Sequence, residues 1–251
     1  MTSASALSVS NLSVRFGGIV AVDHVTLDIP IGARYALIGP NGAGKTTFVN
    51  LLTGALRPSS GEIKIGDKNV TSLDTRARTK LGLSRTFQIN ALFPKLTPFE
   101  AVCLAIAERD DLAGIWWRRL AGFREVRDKA EGLLRQLKLI EQARIPTTEL
   151  PYGKQRLLEI ALALASRPRV LLLDEPAAGI PAGESREIFG VVDALPDDIS
   201  VLFIEHDMQL VFRFAKRIVV LTAGAILVEG TPDEIKRDER VRAAYLGGTH
   251  V

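Results

Sequence analysis

The fold of this chain is decided by one stretch, Gly39-Pro40-Asn41-Gly42-Ala43-Gly44-Lys45-Thr46-Thr47. An apolar run at 35–38 precedes it and Phe48-Val49-Asn50-Leu51-Leu52 follows it, which predicts the order strand, loop, helix. Glycines let the backbone N–H groups of such a loop turn toward an anion, and the next helix N-terminus adds its dipole. Lys45 supplies a charge for the outer phosphates, and the Thr46 hydroxyl is a ligand for Mg²⁺. This stretch, hereafter the phosphate loop (residues 39–47), therefore predicts binding of a nucleoside triphosphate; the alternative is a glycine-rich turn without a ligand.

The composition is that of a globular protein with one large domain or two small ones. Of the 251 residues, 47% are hydrophobic, which is enough for a buried core and excludes a disordered chain. The 32 Lys and Arg residues are scattered among 29 Asp and Glu residues, so the net charge of +3 gives no argument for nucleic acid. The single cysteine, Cys103, cannot form an internal disulfide, and every apolar run is shorter than a membrane helix. We therefore expect an intracellular protein that contacts a membrane only through another protein.

Strand patterns occur toward both ends of the chain. Residues 7–35 alternate between apolar and polar positions around a double glycine, which is typical of a small antiparallel β unit. Phe16 stands beside that double glycine, where its ring is placed to lie against a planar base; the alternative is an ordinary strand-core residue. After the phosphate loop we expect a helix at 47–56 and a short strand at 62–65. Residues 218–228 predict a hairpin, followed by one polar C-terminal helix.

The middle of the chain, 90–165, has the apolar periodicity of helices and predicts an all-helical insertion. Just before it, Gln88 ends an apolar segment, where its amide oxygen is placed to reach a metal ion or a water. The alternative for Gln88 is a surface residue that opens a loop. Within the insertion, Trp116 and Trp117 adjoin two arginines. These tryptophans are either a docking surface or ordinary core beside solvated arginines, and the sequence leaves both open.

Polar residues directly follow two apolar runs that are typical of buried strands. Residues 170–173 predict a strand buried on both faces, which ends in Asp174 and Glu175. With a phosphate loop in the same chain, we assign Asp174 to Mg²⁺ and Glu175 to the attacking water as general base, rather than a solvated turn. Residues 201–204 predict a second such strand, followed by His206. Because parallel strand ends meet at one edge of a sheet, His206 is placed to bridge the terminal phosphate and the base, rather than to be structural.

Six features of the sequence, in the order in which they occur, resemble those of the ATP-binding subunit of an ABC transporter. They are Phe16, the phosphate loop, Gln88, a signature segment at 150–154, the run 171–176 and His206. Three segments are more narrowly similar to the ATPases of branched-chain amino acid importers: Ser84-Arg85-Thr86-Phe87-Gln88, Glu205-His206-Asp207-Met208 and Ala244-Tyr245-Leu246-Gly247. Relatives that serve urea, amides or aromatic acids share them, so the expected cargo is branched-chain amino acids or related small polar solutes.

The resemblance implies an α/β fold, with a P-loop NTPase (RecA-like) core, an N-terminal antiparallel β subdomain and an inserted α-helical subdomain. It implies that the whole chain, 1–251, is a single ABC ATPase domain. Residues 7–88 and 167–251 would form the catalytic core with the β subdomain. Residues 89–166 would form the helical subdomain with the signature segment.

The resemblance also implies the ligands, ATP and Mg²⁺, and the residues that hold them. It assigns catalysis to Glu175, His206 and Gln88, and the metal ion to Thr46, Gln88 and Asp174. The residues implied in nucleotide binding are Phe16, Asn41, Gly42, Ala43, Gly44, Lys45, Thr46, Thr47, Tyr152, Gly153 and Lys154. The last three belong to the signature segment, which serves the ATP bound by a partner.

The assembly that the resemblance implies contains two ATPase chains facing head to tail, as a homodimer or a heterodimer. Each ATP lies between the phosphate loop of one chain and the signature segment of the other. Transmembrane permease subunits dock near Gln88 and the helical insertion, and a periplasmic or extracellular solute-binding protein joins through the permease. The chain is expected to be peripheral, at the cytoplasmic face of the inner (cell) membrane, and to have no nucleic-acid partner.

The sequence departs from the family pattern at two places. Pro151 replaces the signature serine and offers a partner's terminal phosphate neither a hydroxyl nor an N–H. This removes a charge-assisted hydrogen bond of about 1.5–3 kcal/mol. Lys154, where glutamine is usual, would restore positive charge near the partner's phosphate, but without the fixed geometry of the lost hydrogen bond. The second departure is Ala178-Gly179-Ile180-Pro181, which lacks the usual Asp or Asn. We expect a weakened signature, which gives one strong and one slow site in a heterodimer and two weak sites in a homodimer.

Two other classes of function remain as alternatives. One is a soluble ABC ATPase that acts on nucleic acid or ribosomes; the single phosphate loop, the modest charge and the lack of a long coiled coil disfavour it. The other is a regulatory subunit that binds ATP without hydrolysing it. Glu175 and His206 argue against this second alternative, while Pro151 partly favours it.

Overall fold

Two β-sheets organise the chain in the computed structural model, which describes residues 4–86, 92–110 and 124–246. The first sheet contains β1 (Ser5–Phe16), β2 (Ile19–Pro30), β4 (Ser60–Ile65) and β5 (Lys68–Asn69). Its strand order is β2-β1-β4-β5, and all neighbouring strands are antiparallel. The antiparallel unit that the alternation at 7–35 predicts is therefore present, and β4 extends it.

The β1–β2 hairpin forms because apolar side chains recur on one face of both strands. Leu7 lies opposite Ile29, and Val9 lies opposite Leu27. All four side chains are buried. The register shifts at several places along the pair, which is how long strands of a twisted sheet bend around a core.

The second sheet carries the phosphate loop. It contains β3 (Arg34–Ile38), β6 (Leu83–Arg85), β7 (Val170–Asp174), β8 (Ser200–Ile204), β9 (Arg217–Thr222) and β10 (Ala225–Gly230). Its order is β10-β9-β3-β8-β7-β6; β10 is antiparallel to β9, and the other neighbours are parallel. Strands β3, β7 and β8 are continuous apolar runs because both of their faces are covered.

The helices flank these sheets, and in the described segments none is both long and apolar enough to cross a bilayer. They are α1 (Lys45–Thr53), α2 (Thr75–Lys80), α3 (Pro98–Arg109), α4 (Arg124–Gln136), α5 (Tyr152–Ala165), α6 (Ala182–Asp193), α7 (Met208–Phe214), α8 (Pro232–Arg237) and α9 (Glu239–Leu246), with a short 3₁₀ helix at Thr147–Glu149. The described part of the predicted helical insertion contains α3, α4 and α5.

The second sheet lies between two apolar layers, as alternate residues of β3 show. Ala36 and Ile38 belong to the core that includes α3 to α7. Tyr35 and Leu37 belong to the core under the first sheet, which also takes in the buried face of α1. This arrangement fixes the ends of β3, β7 and β8 at one edge, and the polar residues that follow these strands stand there together.

Two helix predictions differ from the structure. The helix after the phosphate loop ends at Thr53 rather than at residue 56, because Gly54 adopts a left-handed φ of 77° and its N–H bonds to the Leu51 carbonyl. The polar C-terminal region contains two helices rather than one. Asp238 separates them, since its backbone ends α8 and its carboxylate accepts the Arg240 N–H at 2.8 Å.

Candidate functional site

The phosphate loop has a backbone that only glycine can supply at two positions. Gly39 and Gly44 have φ values of 154° and 98°. A Cβ at Gly39 would lie 2.1 Å from the Leu221 carbonyl oxygen, and one at Gly44 would lie 2.4 Å from the Ala21 carbonyl oxygen. The loop is therefore held tightly between β2 and β9, with its curvature fixed before any ligand arrives.

The helix that follows the loop has an N-terminus that no side chain caps. Gly44 is the N-cap of α1, so no side chain caps the first turn, and that turn contains no acidic residue. The first N–H groups of a helix have no partner within the helix, and the dipole favours an anion beside them. The N-terminus of α1 is thus suited to a phosphate.

Lys45 begins α1 and is almost fully buried. Its Nζ donates to the carbonyls of Gly39 at 2.6 Å and Pro40 at 3.0 Å. Burial lowers the pKa of Lys45, and the negative charge of Glu175 opposes that shift. A phosphate oxygen is a stronger partner for an ammonium than an uncharged carbonyl, so the side chain is poised to exchange these contacts for a nucleotide.

The phosphate loop opens onto a cleft of about 410 Å³. Its lining residues are Ile19, Val20, Ala21, Asn41, Gly42, Ala43, Gly44, Lys45, Thr46, Thr47, Glu175, His206, Ala223 and Gly224. The sequence predicted all of these except residues 19–21, Ala223 and Gly224. The β9–β10 turn reaches the loop through Gly224, whose N–H donates to the Ala43 carbonyl at 3.0 Å. The local sequence pattern predicts the hairpin that contains this turn, but it does not show that the turn contacts the phosphate loop.

Glu175 and His206 are in direct contact in the lining of the cleft. Because β7 and β8 are parallel neighbours, the residues after their ends are adjacent. His206 Nε2 lies 2.6 Å from Glu175 Oε1, and both side chains are about half exposed. Glu175 has a left-handed φ of 48°, which costs a non-glycine residue about 1–3 kcal/mol.

Asp174 and Thr46 line a second cleft, of about 460 Å³, together with Glu175. Arg85 also lines it and donates to Asp174 Oδ2 and to Asn50 Oδ1. Hydroxyl and carboxylate oxygens are hard donors that suit Mg²⁺, which takes few protein ligands and draws the rest from phosphates and water. The donors present therefore fit the metal ion. Arg85 and Asn50 were missed because their polar contacts join three elements that are distant in sequence.

The signature residues lie elsewhere on the chain. Among the described residues, the lining of the 410 Å³ cleft includes none of Tyr152, Gly153 and Lys154, nor does it include Phe16. Phe16 is 51% exposed and Tyr152 is 43% exposed. Gln88, Trp116 and Trp117 fall outside the described residues.

Lys154 is engaged within its own chain. Its Nζ lies 3.1 Å from Glu187 Oε1 of α6 and 3.4 Å from the Lys138 carbonyl. Pro151 is the N-cap of α5, and no side chain caps that helix. The first turn of α5 thus keeps N–H groups for an anion, but the chain lacks both the serine hydroxyl and a free ammonium there.

Sequence comparisons place this site in a known family. The profile of the ABC transporter family matches residues 22–178, and that of the branched-chain amino acid ATP-binding cassette transporter matches residues 225–251. The high-affinity branched-chain amino acid transport ATP-binding protein LivG of Escherichia coli (strain K12) is 39% identical over 96% of this chain and 97% of its own.

Solved structures agree with the sequence comparisons. The ADP conformation of MJ1267, an ATP-binding cassette of an ABC transporter, superposes with a TM-score of 0.85 at 29% identity, over 97% of this chain and 99% of that one. The dimeric structure of MJ0796, a bacterial ABC transporter cassette, superposes with a TM-score of 0.74 at 27% identity, over 90% and 98%. This chain belongs to the ABC transporter family, as an ATP-binding subunit that hydrolyses ATP.

Proposed function

We propose that this chain drives the import of branched-chain amino acids, or of related small polar solutes, by hydrolysing ATP at the cleft of the phosphate loop. Hydrolysis of ATP at this cleft is supported most directly by the 2.6 Å contact between His206 Nε2 and Glu175 Oε1, in the same lining as Lys45. The substrate class rests on the similarity to LivG and on the profile match at 225–251.

Each residue of the cleft has a part in the proposed reaction. The backbone N–H groups of the phosphate loop and of the first turn of α1 bind the triphosphate, and Lys45 binds its outer oxygens. Thr46 and Asp174 would hold Mg²⁺, which neutralises charge on the phosphates when bound. Arg85 fixes one carboxylate oxygen of Asp174 and leaves the other available.

Glu175 accepts a proton from the attacking water at its carboxylate. His206 holds that carboxylate in place through Nε2, and its second ring nitrogen is available to the terminal phosphate. The strained backbone of Glu175 supports this assignment, because a left-handed conformation at a non-glycine residue needs the surrounding structure to maintain it.

The site is proposed to be completed by a second ATPase chain, as a homodimer or a heterodimer. Tyr152, Gly153 and Lys154 lie apart from the chain's own nucleotide cleft, which supports a role toward a partner's nucleotide. The dimeric cassette MJ0796 is a structural precedent for such pairing. Phe16 would lie against the adenine base, and Gln88 would serve the metal ion and the attacking water.

The remaining partners are proposed to be transmembrane permease subunits, with a periplasmic or extracellular solute-binding protein reaching the ATPases through the permease. The chain would then be peripheral at the cytoplasmic face of the cell membrane. Within the chain, residues 7–88 and 167–251 would act as the catalytic core and 89–166 as the helical subdomain. No nucleic-acid partner is proposed.

Reconstitution tests this function. The chain would be purified with permease and solute-binding proteins from the same organism and placed in vesicles that contain ATP and Mg²⁺. We expect uptake of labelled leucine that depends on ATP and is lost in Lys45→Ala but kept in Lys64→Ala, a substitution on the first sheet. Uptake of an unrelated solute, or uptake that survives Lys45→Ala, would contradict the proposal.

A further inference from the structure

Glu205 is a buried carboxylate that the proposed reaction does not use. It follows β8 and is only 5% exposed. Its Oε1 accepts the backbone N–H of Ala177 at 2.9 Å, and its Oε2 accepts the backbone N–H of His206 at 3.1 Å. No Lys, Arg or His side chain within the described segments forms an ion pair with it. In the part of the chain that the structure describes, backbone N–H groups hold this carboxylate.

Burying a carboxylate that has no cationic partner costs free energy of folding. Burial raises the pKa of Glu205 and disfavours its charged form, whereas the backbone N–H groups of Ala177, His206 and Asp207 act in the opposite direction. A buried ion without a charged partner destabilises a fold unless its hydrogen bonds are well made. The carboxylate is therefore sensitive to the positions of the N–H groups that satisfy it.

The two N–H groups that the Glu205 carboxylate accepts belong to the two loops that carry Glu175 and His206. Ala177 lies two residues after Glu175, on the loop that leaves β7, and His206 lies on the loop that leaves β8. The two loops are also tied by the Glu175 N–H, which donates to the Ile204 carbonyl at 3.0 Å. Glu205 thus bridges both sides of the 2.6 Å contact between Glu175 and His206.

We infer that Glu205 is a positioning residue for hydrolysis, whose two carboxylate oxygens fix the spacing between Glu175 and His206. The inference rests on the proposed roles of that pair. Glu205 does not line the nucleotide cleft, so its effect passes through the backbone of the two loops and leaves nucleotide binding alone. A purely structural role would instead weaken folding, binding and turnover together.

Glu205→Gln tests this inference with little change in shape. A glutamine has one oxygen acceptor, and its amide N–H₂ would face a backbone N–H in place of the second oxygen. We expect kcat for ATP to fall about 10- to 100-fold, because a displacement of about 1 Å in a catalytic group has effects of this size. The KM for ATP and the Kd for a fluorescent ATP analogue should stay within about twofold of wild type.

Glu229→Gln is the control. The Glu229 carboxylate of β10 is partly buried and accepts from Tyr35 Oη at 3.0 Å and from Arg217 Nε at 2.8 Å, and none of these residues lines either cleft. We expect this control to lower Tm without the selective fall in kcat. The assays are run on the full-length purified chain well below the Tm of every variant.

A double-mutant cycle identifies the route of the effect. If Glu205 acts through the pair, Glu205→Gln should slow hydrolysis by less than about threefold when His206 is already alanine. Wild-type kcat in Glu205→Gln, or equal losses in both backgrounds, would overturn the inference. If Glu205→Gln does not fold, Glu205→Asp keeps the charge but shortens the reach, and it carries the same expectations.

The ATPase rate of Glu175→Gln distinguishes a failure of the proposed function from a failure of the inference on Glu205. If Glu175→Gln hydrolyses ATP at the wild-type rate, the proposed base is wrong, whatever Glu205 does. If Glu175→Gln is inactive while Glu205→Gln retains full kcat, only the positioning role is wrong.

Discussion

Pro151 and Lys154 illustrate at the residue scale what the signature segment of this chain lacks. Pro151 begins α5 with no side-chain acceptor for the first-turn N–H groups. Lys154 is expected from the sequence to restore charge there, yet its ammonium is paired with Glu187. The first-turn N–H groups of α5 are then the main donors that the segment can offer to a partner's phosphate.

Pro151→Ser should strengthen the composite site. A serine hydroxyl toward the terminal phosphate adds a charge-assisted hydrogen bond of about 1.5 kcal/mol or more, which corresponds to about a tenfold rise in kcat/KM. The measurement is ATPase activity in the assembled transporter. Pro146→Ser is the matched control, because Pro146 is likewise an uncapped N-cap, at the start of the 3₁₀ helix. An unchanged rate in Pro151→Ser, or an equal gain in Pro146→Ser, would count against the expected role of the segment.

Cys103 should be unreactive while the chain is folded. It is buried on α3, and burial raises the pKa of its thiol to about 11, so that only about one part in a thousand is thiolate near pH 8. We expect Ellman's reagent to modify one thiol per chain in denaturant and almost none in buffer. Rapid labelling of the native chain would show that α3 does not pack as described.

At the scale of elements, strands and their ends followed from local pattern, whereas contacts between distant segments did not. The continuous runs at 170–173 and 201–204 predicted buried strands, because only a strand covered on both faces tolerates such runs. The cleft walls at 19–21 and at Gly224 were missed, because they meet the phosphate loop only through tertiary packing. Arg78 was missed for the same reason, since nothing local shows that an arginine on a short polar helix is buried.

Arg78 of α2 anchors the C-terminus of α1. The residue is 1% exposed, and its guanidinium donates to the carbonyls of Leu51, Leu52, Thr71 and Leu73 at 2.6–3.0 Å. A cation at this end of α1 also complements the helix dipole. The helix that carries Lys45 and Thr46 is therefore held at both ends, by the phosphate loop and by Arg78.

Arg78→Met should destabilise the fold strongly. Each buried carbonyl left without a donor costs about 1–3 kcal/mol, so we expect the free energy of unfolding to fall by about 3 kcal/mol or more. Urea denaturation measures the loss. Arg76→Met on the same helix is the control, since Arg76 is 78% exposed and its ion pair with Glu108 is long at 3.5 Å. Similar losses in the two variants would show that Arg78 does not anchor α1.

At the scale of the whole molecule, the parallel sheet organises the function. Because β3, β7 and β8 run in the same direction, the phosphate loop, Glu175 and His206 all follow carboxyl ends at one edge. Helix α5, which begins at Tyr152, belongs to the apolar layer that includes α3 to α7. The convergence of the strand ends was predicted from the sequence and is present, whereas the role of the signature segment toward a second chain, Gln88 and the two tryptophans of the insertion remain predictions.

We propose above all that Glu175 and His206 carry out hydrolysis of the ATP that Lys45 and the phosphate loop bind, and this assignment is open to direct measurement. Its most direct test is single-turnover hydrolysis of bound ATP by wild type, Glu175→Gln and His206→Ala, with Glu141→Gln as an exposed control. We expect nucleotide affinity close to wild type in all three variants, and hydrolysis slowed by about 100-fold or more only in Glu175→Gln and His206→Ala. Hydrolysis at the wild-type rate in either of these two, with ATP bound, would contradict the account.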